Sequence, residues 1–243
     1  MMRYSFACSL LIAAPWLAFA AESAWRDLLA GKPSEVWKTK TDDWSQVETL
    51  KVDDKSPRKL AFAGKGGIWV NGEKGRAADL VTRDSFTDVE LTMDFLIPKG
   101  SNSGVKFHAV YEIQIHDTFG SKDLSGDTCG GIYPRAELKP KYHHIDQGIA
   151  PKVNACKPPG EWQTLQVIFL SPRIDKVGKK TANAKVVRAT LNGQLIHENQ
   201  ELLTPTGNNW SKKELPAGPL MLQGDHGPVA FRNVRVREYK PAR

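Results

Sequence analysis

The chain has 243 residues, 34 Lys and Arg against 27 Asp and Glu for a formal charge of +7, and three cysteines. Forty per cent of its residues are hydrophobic, with seven Trp and nine Phe, enough apolar side chain to offset the entropy of ordering, so intrinsic disorder is excluded. So is a disulfide-dense miniprotein. The length suits one large β domain or two small ones.

In chain order, Met1–Ala20 comes first: basic Arg3, an apolar stretch around Leu10–Ala14, then Ala18-Phe19-Ala20. That small-x-small ending reads as a signal peptide cut after Ala20, because the apolar run is too short to span a bilayer. The mature chain, 21–243, is expected to be one domain, exported to the periplasm or secreted, with no membrane span. Ser23–Ala30 is a short helical candidate. Beyond it the hydrophobic period is two. Val89, Leu91, Met93, Phe95 and Ile97 alternate with Glu90, Thr92 and Asp94, the pattern of a half-buried strand. Similar runs lie at Lys59–Ala63, Asp79–Arg83, Gly104–Ala109, Tyr111–Asp117, Thr164–Leu170, Lys185–Asn192, Leu195–Asn199, Leu220–Gln223 and Val229–Glu238. Many short strands punctuated by Gly, Pro, Asn and Asp predict an all-β antiparallel sandwich or jelly roll. Leu191-Asn192-Gly193-Gln194-Leu195 predicts a type I′ hairpin, since Asn-Gly accepts positive φ at both central positions.

Thr118–Gly160 breaks this rhythm, and so long an irregular segment in a compact β domain suggests a cleft wall. It holds Cys129 and Cys156, the mature chain's two cysteines, expected to pair as a disulfide in an oxidising compartment. Such a bond contributes about 3–4 kcal/mol by loop entropy. Ser171–Ala184 reads as a surface loop. Basic residues are interleaved with acidic ones, as in Lys51-Val52-Asp53-Asp54-Lys55, so no nucleic-acid stripe is formed.

Tyr111-Glu112-Ile113-Gln114-Ile115-His116-Asp117 is the most informative strand. Its apolar positions face the core, which sets Glu112, Gln114 and His116 side by side on the other face. That row is either the wet side of a sheet or a binding face for hydroxyl-rich ligands. Asp117, at the strand end, turns into the cleft or caps a turn. Tyr133, Asn154, Trp162, Gln223 and Arg232 are further candidates near strand ends, and Asp225-His226 reads as a carboxylate orienting an imidazole or as a bend. The six histidines show no zinc-site spacing, so no metal motif is present; a divalent ion gathered in the cleft from distant His and Glu stays open.

With these residues in place the chain resembles the 3-keto-disaccharide hydrolase domain family. The resemblance rests on Asn102-Ser103-Gly104-Val105, Tyr111–Ile115, Cys129–Tyr133, Asn154–Gln163, Leu191-Asn192-Gly193, Gln223–Val229 and Phe231–Val234, in that order. It departs from the family pattern at Leu28-Leu29-Ala30-Gly31 and at His108. The resemblance implies a concanavalin-like jelly roll and action on 3-keto sugars, with a carbohydrate as the partner. A 3-ketone acidifies the C2 proton, and the resulting enolate expels the C1 substituent by β-elimination, after which water adds. That route needs a base, support for the C3 oxygen and a proton donor, not the paired carboxylates of an ordinary glycosidase. The expectation is His116 or His226 as base, Glu112 as a second acid–base group, and Gln114, Asp117, Tyr133, Asn154, Trp162, Gln223 and Arg232 as substrate contacts. The alternative is a carbohydrate-binding domain without catalysis.

Overall fold

A computed structural model describes residues 23–72 and 75–241; the expected signal peptide lies outside them. Two antiparallel sheets face one another. The larger runs, in spatial order, β14 (Gln194–Leu202), β13 (Ala184–Leu191), β10 (Gln163–Leu170), β5 (Val89–Leu96), β16 (Ala230–Glu238), β3 (Ser56–Val70) and β2 (Ser45–Asp53), with β1 (Arg26–Asp27) also on β16. The smaller runs β4 (Leu80–Phe86), β15 (Gly218–Leu222), β6 (Asn102–Phe107) and β7 (Tyr111–His116). The all-β sandwich expected from the two-residue period is therefore present. Alternation decides which face meets the core. Val89, Leu91, Met93 and Phe95 from β5 pack with Val105 and Phe107 from β6 and Tyr111, Ile113 and Ile115 from β7, as two stacked sheets require.

Three local expectations are tested. At Asn192 and Gly193 φ is 53° and 80°, so the Asn-Gly turn has the left-handed pair that a type I′ hairpin demands. The helix expected at Ser23–Ala30 is absent: Arg26 and Asp27 pair with β16, and the Leu28 amide donates to the Val234 carbonyl at 2.7 Å. Sheet edge bonds outcompete a marginal helix with no cap. A single helical turn forms instead at Pro33–Val36, where proline fits the first position. Ser171–Ala184 carries a small ribbon, β11 (Arg173–Ile174) with β12 (Lys180–Ala182).

The irregular segment is an extension of the smaller sheet. Ile132 bridges Ile113 on one side and Ile149 on the other. Gln114 donates its amide to Gly131, Gly130 to Gln114, and Tyr133 to Glu112, at 2.7–3.1 Å. Each pairing lasts only a few residues, too short to show alternation, and the segment continues into a ribbon of β8 (Ala136–Glu137) and β9 (His143–His144). It buries the outer side of β7, so Glu112 and Gln114 are as inaccessible as the core-facing residues. Within it Cys129 and Cys156 are both buried free thiols, so the expected disulfide is not shown here. Cys156 is bonded by Gln163 Nε2 at 3.5 Å and by the Lys157 carbonyl at 3.4 Å.

The loop between β15 and β16 hangs on fully buried Asn71. Its Nδ2 donates to the carbonyls of Gly224 (2.8 Å) and Gly227 (2.7 Å), and its Oδ1 accepts the Val229 amide (2.8 Å). Removing a partner from buried groups costs about 1–3 kcal/mol for each one left unpaired. Asn71→Ala is expected to lower the stability in urea denaturation by about 3 kcal/mol or more and to speed hydrogen exchange in residues 224–229; a change below 1 kcal/mol contradicts this account.

Candidate active site

In the β6–β7 register Asn102 faces His116, Gly104 faces Gln114 and Lys106 faces Glu112. The Ile113–Ile132 bridge then sets Tyr133 opposite Glu112 on the next strand. Directly opposed side chains sit about 5 Å apart at Cβ, so Lys106, Glu112 and Tyr133 form one cross-strand row on the face turned from the core. The Lys106 ammonium is 3.1 Å from Glu112 Oε2, and the pair is largely buried, at 13% and 4% side-chain exposure. Gly104 provides the space: a Cβ there would lie 2.4 Å from Glu112 Oε1. Met221 pairs with Lys106, which carries the strand on to Gln223 beside Gly104, where the Gln223 amide donates to the Gly104 carbonyl at 2.9 Å.

These groups line a cavity of about 250 Å³, with Asn102, Tyr142 and His226 completing its polar wall. The His226 Nδ1 is hydrogen-bonded to the Asp225 carboxylate within a bend at 225–227, so both readings of Asp225-His226 hold; both side chains are about half exposed. Tyr133 Oη lies 2.9 Å from Tyr142 Oη and 2.9 Å from His144 Nε2. Gln223 is buried, yet its Oε1 has no hydrogen-bond partner among the described residues. A buried acceptor without a donor is the signature of a group awaiting one. Burial pushes the Glu112 carboxyl above the usual range, and the Lys106 charge pulls it back. Burial, then the bond with Tyr142, raises the Tyr133 phenol above its ordinary value.

Glu112 is the one carboxylate among the lining residues. Among the described residues no three His, Cys, Asp or Glu converge as a metal site; Glu112 and His226 are the wall's metal-competent side chains.

Of the expected site residues, Glu112, Tyr133, Gln223 and His226 come together. The others are elsewhere. Gln114 and His116 share the face of Glu112 but are covered by the irregular segment: Gln114 Nε2 donates to Asp127 Oδ1 at 2.6 Å, and His116 Nδ1 lies 3.5 Å from Asp127 Oδ2. His116 is therefore a clamp and not a base in the cavity. Asp117 accepts the Gly100 amide at 2.8 Å, the turn-capping reading. Asn154 holds the carbonyls of Thr118 and Ser121 at 2.7 and 3.0 Å. Trp162 is stacked under the Arg232 guanidinium, 4.0 Å from the ring centre, and Arg232 bonds Asp94 of β5 at 3.2 Å. Arg232 lies on β16 of the larger sheet, and Trp162 immediately precedes β10. His108 is buried in the β6–β7 turn, bonded to Ser171 at 3.0 Å, away from the cavity.

The profile of the 3-keto-alpha-glucoside-1,2-lyase-like domain matches residues 24–237. The chain belongs to this family. The match covers the cavity and both sheets, and a carbohydrate-acting domain is what the family describes. Two solved structures of candidate glycosyl hydrolases from Parabacteroides distasonis share the family fold. One is 23% identical with a TM-score of 0.58, covering 84% of this chain and 82% of that one. The other is 20% identical with a TM-score of 0.56, covering 89% and 100%. No relative was found among curated protein sequences.

Lys106, Tyr142 and Asn71 were missed as site-building residues. Lys106 was within reach, because β6 read in register against β7 puts it beside Glu112. Tyr142 and Asn71 come from segments without periodicity.

Two outcomes follow from this geometry. Gly104→Ala pushes against the far end of a flexible side chain, so the protein should keep its folded far-UV spectrum while catalytic turnover falls on the order of 100-fold, the usual loss for a displaced acid–base group; unaltered turnover would remove Glu112 from the chemistry. His116 is raised above its ordinary 6.5 by the bond with Asp127, aided by the charges of Asp127 and Asp117. A raised histidine contributes stability that is complete below the unfolded value and is lost as pH climbs through the folded one. The protection factors of residues 127–133, with the base-catalysed intrinsic rate divided out, should therefore fall as pH rises above 6.5, and His116→Gln should flatten that dependence.

Proposed function

We propose that this protein is an exported enzyme that cleaves 3-keto-glycosides by elimination and hydration. The observation that carries the reading is a cavity with one buried carboxylate held against a lysine, and with imidazole and phenol groups where a glycosidase would set a second acid. In this reading His226, oriented by Asp225, takes the C2 proton, and the electron pair moves onto the C3 oxygen, which faces the Lys106–Glu112 pair. A preorganised cation in a desolvated site stabilises that oxyanion. Collapse of the enolate breaks the C1–O bond, and Tyr133 donates its proton to the departing oxygen. Water then adds across C1 and C2: its hydroxyl bonds to C1 while its remaining proton passes to Tyr133 and restores the phenol, and His226 returns the proton it took to C2. Gln223 Oε1 accepts a sugar hydroxyl. Export rests on the Met1–Ala20 reading, and membership of the family supports the keto-sugar class.

The experiment is direct. Purified protein is incubated with methyl 3-keto-glucoside and with unoxidised methyl glucoside, and methanol is measured. Release is expected from the keto form alone; no release from it overturns the proposal, and tight sugar binding by calorimetry without release assigns a binding module instead. Glu112→Gln and His226→Ala should each lower kcat by about 10²–10⁴ with unfolding midpoints preserved.

A further inference from the structure

A second cavity of about 370 Å³ adjoins the first, and Tyr133 is a wall of both. Its other walls are mostly apolar, from Ile132, Ile149, Leu202, Leu203 and Pro205. Each polar side chain on the remaining wall already has a partner within the protein: Gln200 Nε2 donates to the Glu201 carbonyl, Asn183 Nδ2 to Glu201 Oε2 and Thr204 Oγ1 to the Pro205 carbonyl. Arg135 Nε is 2.6 Å from Asp146 Oδ2, and its guanidinium lies over the Trp210 ring. Thr206 Oγ1 accepts the Glu112 amide and donates to the Val110 carbonyl, both at 3.0 Å. Thr206 and Gly207 are consecutive, the first lining the apolar cavity and the second the polar one. Two compartments of opposite character thus meet at the phenol that faces the departing oxygen.

We infer that the second cavity is the aglycone site and that it takes an apolar, ring-sized aglycone. This rests on the proposed reading of the first cavity and adds the substrate class to it. A sugar aglycone would bring its hydroxyls against mostly apolar walls whose polar side chains already have protein partners, and burying hydroxyls without partners is unfavourable. An aromatic or alicyclic group instead removes its apolar surface from water against leucine and isoleucine, as ligand pockets ordinarily do. The glycosidic oxygen then lies at Tyr133, between the two compartments.

The test compares benzyl with methyl 3-keto-glucoside, two alkyl leaving groups that differ in the group presented to the second cavity. The wild-type kcat/KM is expected to favour the benzyl compound by ~10-fold or more, the scale on which apolar pockets discriminate. Leu203→Asp, at a position 68% exposed, and Thr204→Trp, which fills the cavity, should each reduce the benzyl-to-methyl ratio to about 2. Cleavage of both compounds at equal kcat/KM overturns the aglycone site and leaves the proposed function standing. Cleavage of neither overturns the proposed function. The cavity is then judged by saturation-transfer NMR with benzyl alcohol: a signal lost in Thr204→Trp supports an apolar ligand site, and no signal with the wild type overturns it.

Discussion

Everything at the candidate site hangs on one cross-strand row. Lys106, Glu112 and Tyr133 stand opposite one another on three successive chains of the smaller sheet, and backbone hydrogen bonds fix their spacing. A buried carboxylate is costly unless paired and bonded. Here the sheet brings the lysine to it before any ligand arrives, and Gly104 leaves the room in which the carboxylate lies. Lys106 and Glu112 are held by strands, which is more exact than holding such groups on loops. His226 is the exception, carried on the loop that Asn71 ties to the sandwich.

The irregular segment turns a sheet face into an enclosed site. By continuing the hydrogen bonding of β7 through Gly130–Tyr133, it covers half of the polar row and leaves the other half open. That partition separates the two histidines the sequence made equal candidates. His116 falls under the cover with Asp127, while His226 remains on the rim.

The sandwich was legible because burial on one face writes itself as alternation, as in β5 and β7, and because Asn192-Gly193 admits one turn geometry. Glu112 was legible by the same parity. Trp162 and Arg232 look like sugar-binding residues in a linear string, but parity on β10 and β16 alone does not say which sheet a strand joins; their stacking on the larger sheet shows it. Asn154 and Asp117 share a different lesson. Both are polar residues beside turns, where satisfying backbone groups is their commonest work. The helix expected at Ser23–Ala30 failed because local propensity is weak against the free edge bonds of β16.

The alternation of β6 and β7 has a last consequence, for folding itself. A slip of one residue in their pairing turns every side chain to the opposite face. A slipped β7 would drive Glu112 into the Phe107–Ile113 core, away from Lys106, and Ile113 and Ile115 toward the cavity. A carboxylate without its cation among apolar side chains is costly, so the misregistered hairpin is strongly disfavoured. The ion pair that equips the site for chemistry therefore also edits the folding of the sheet that displays it.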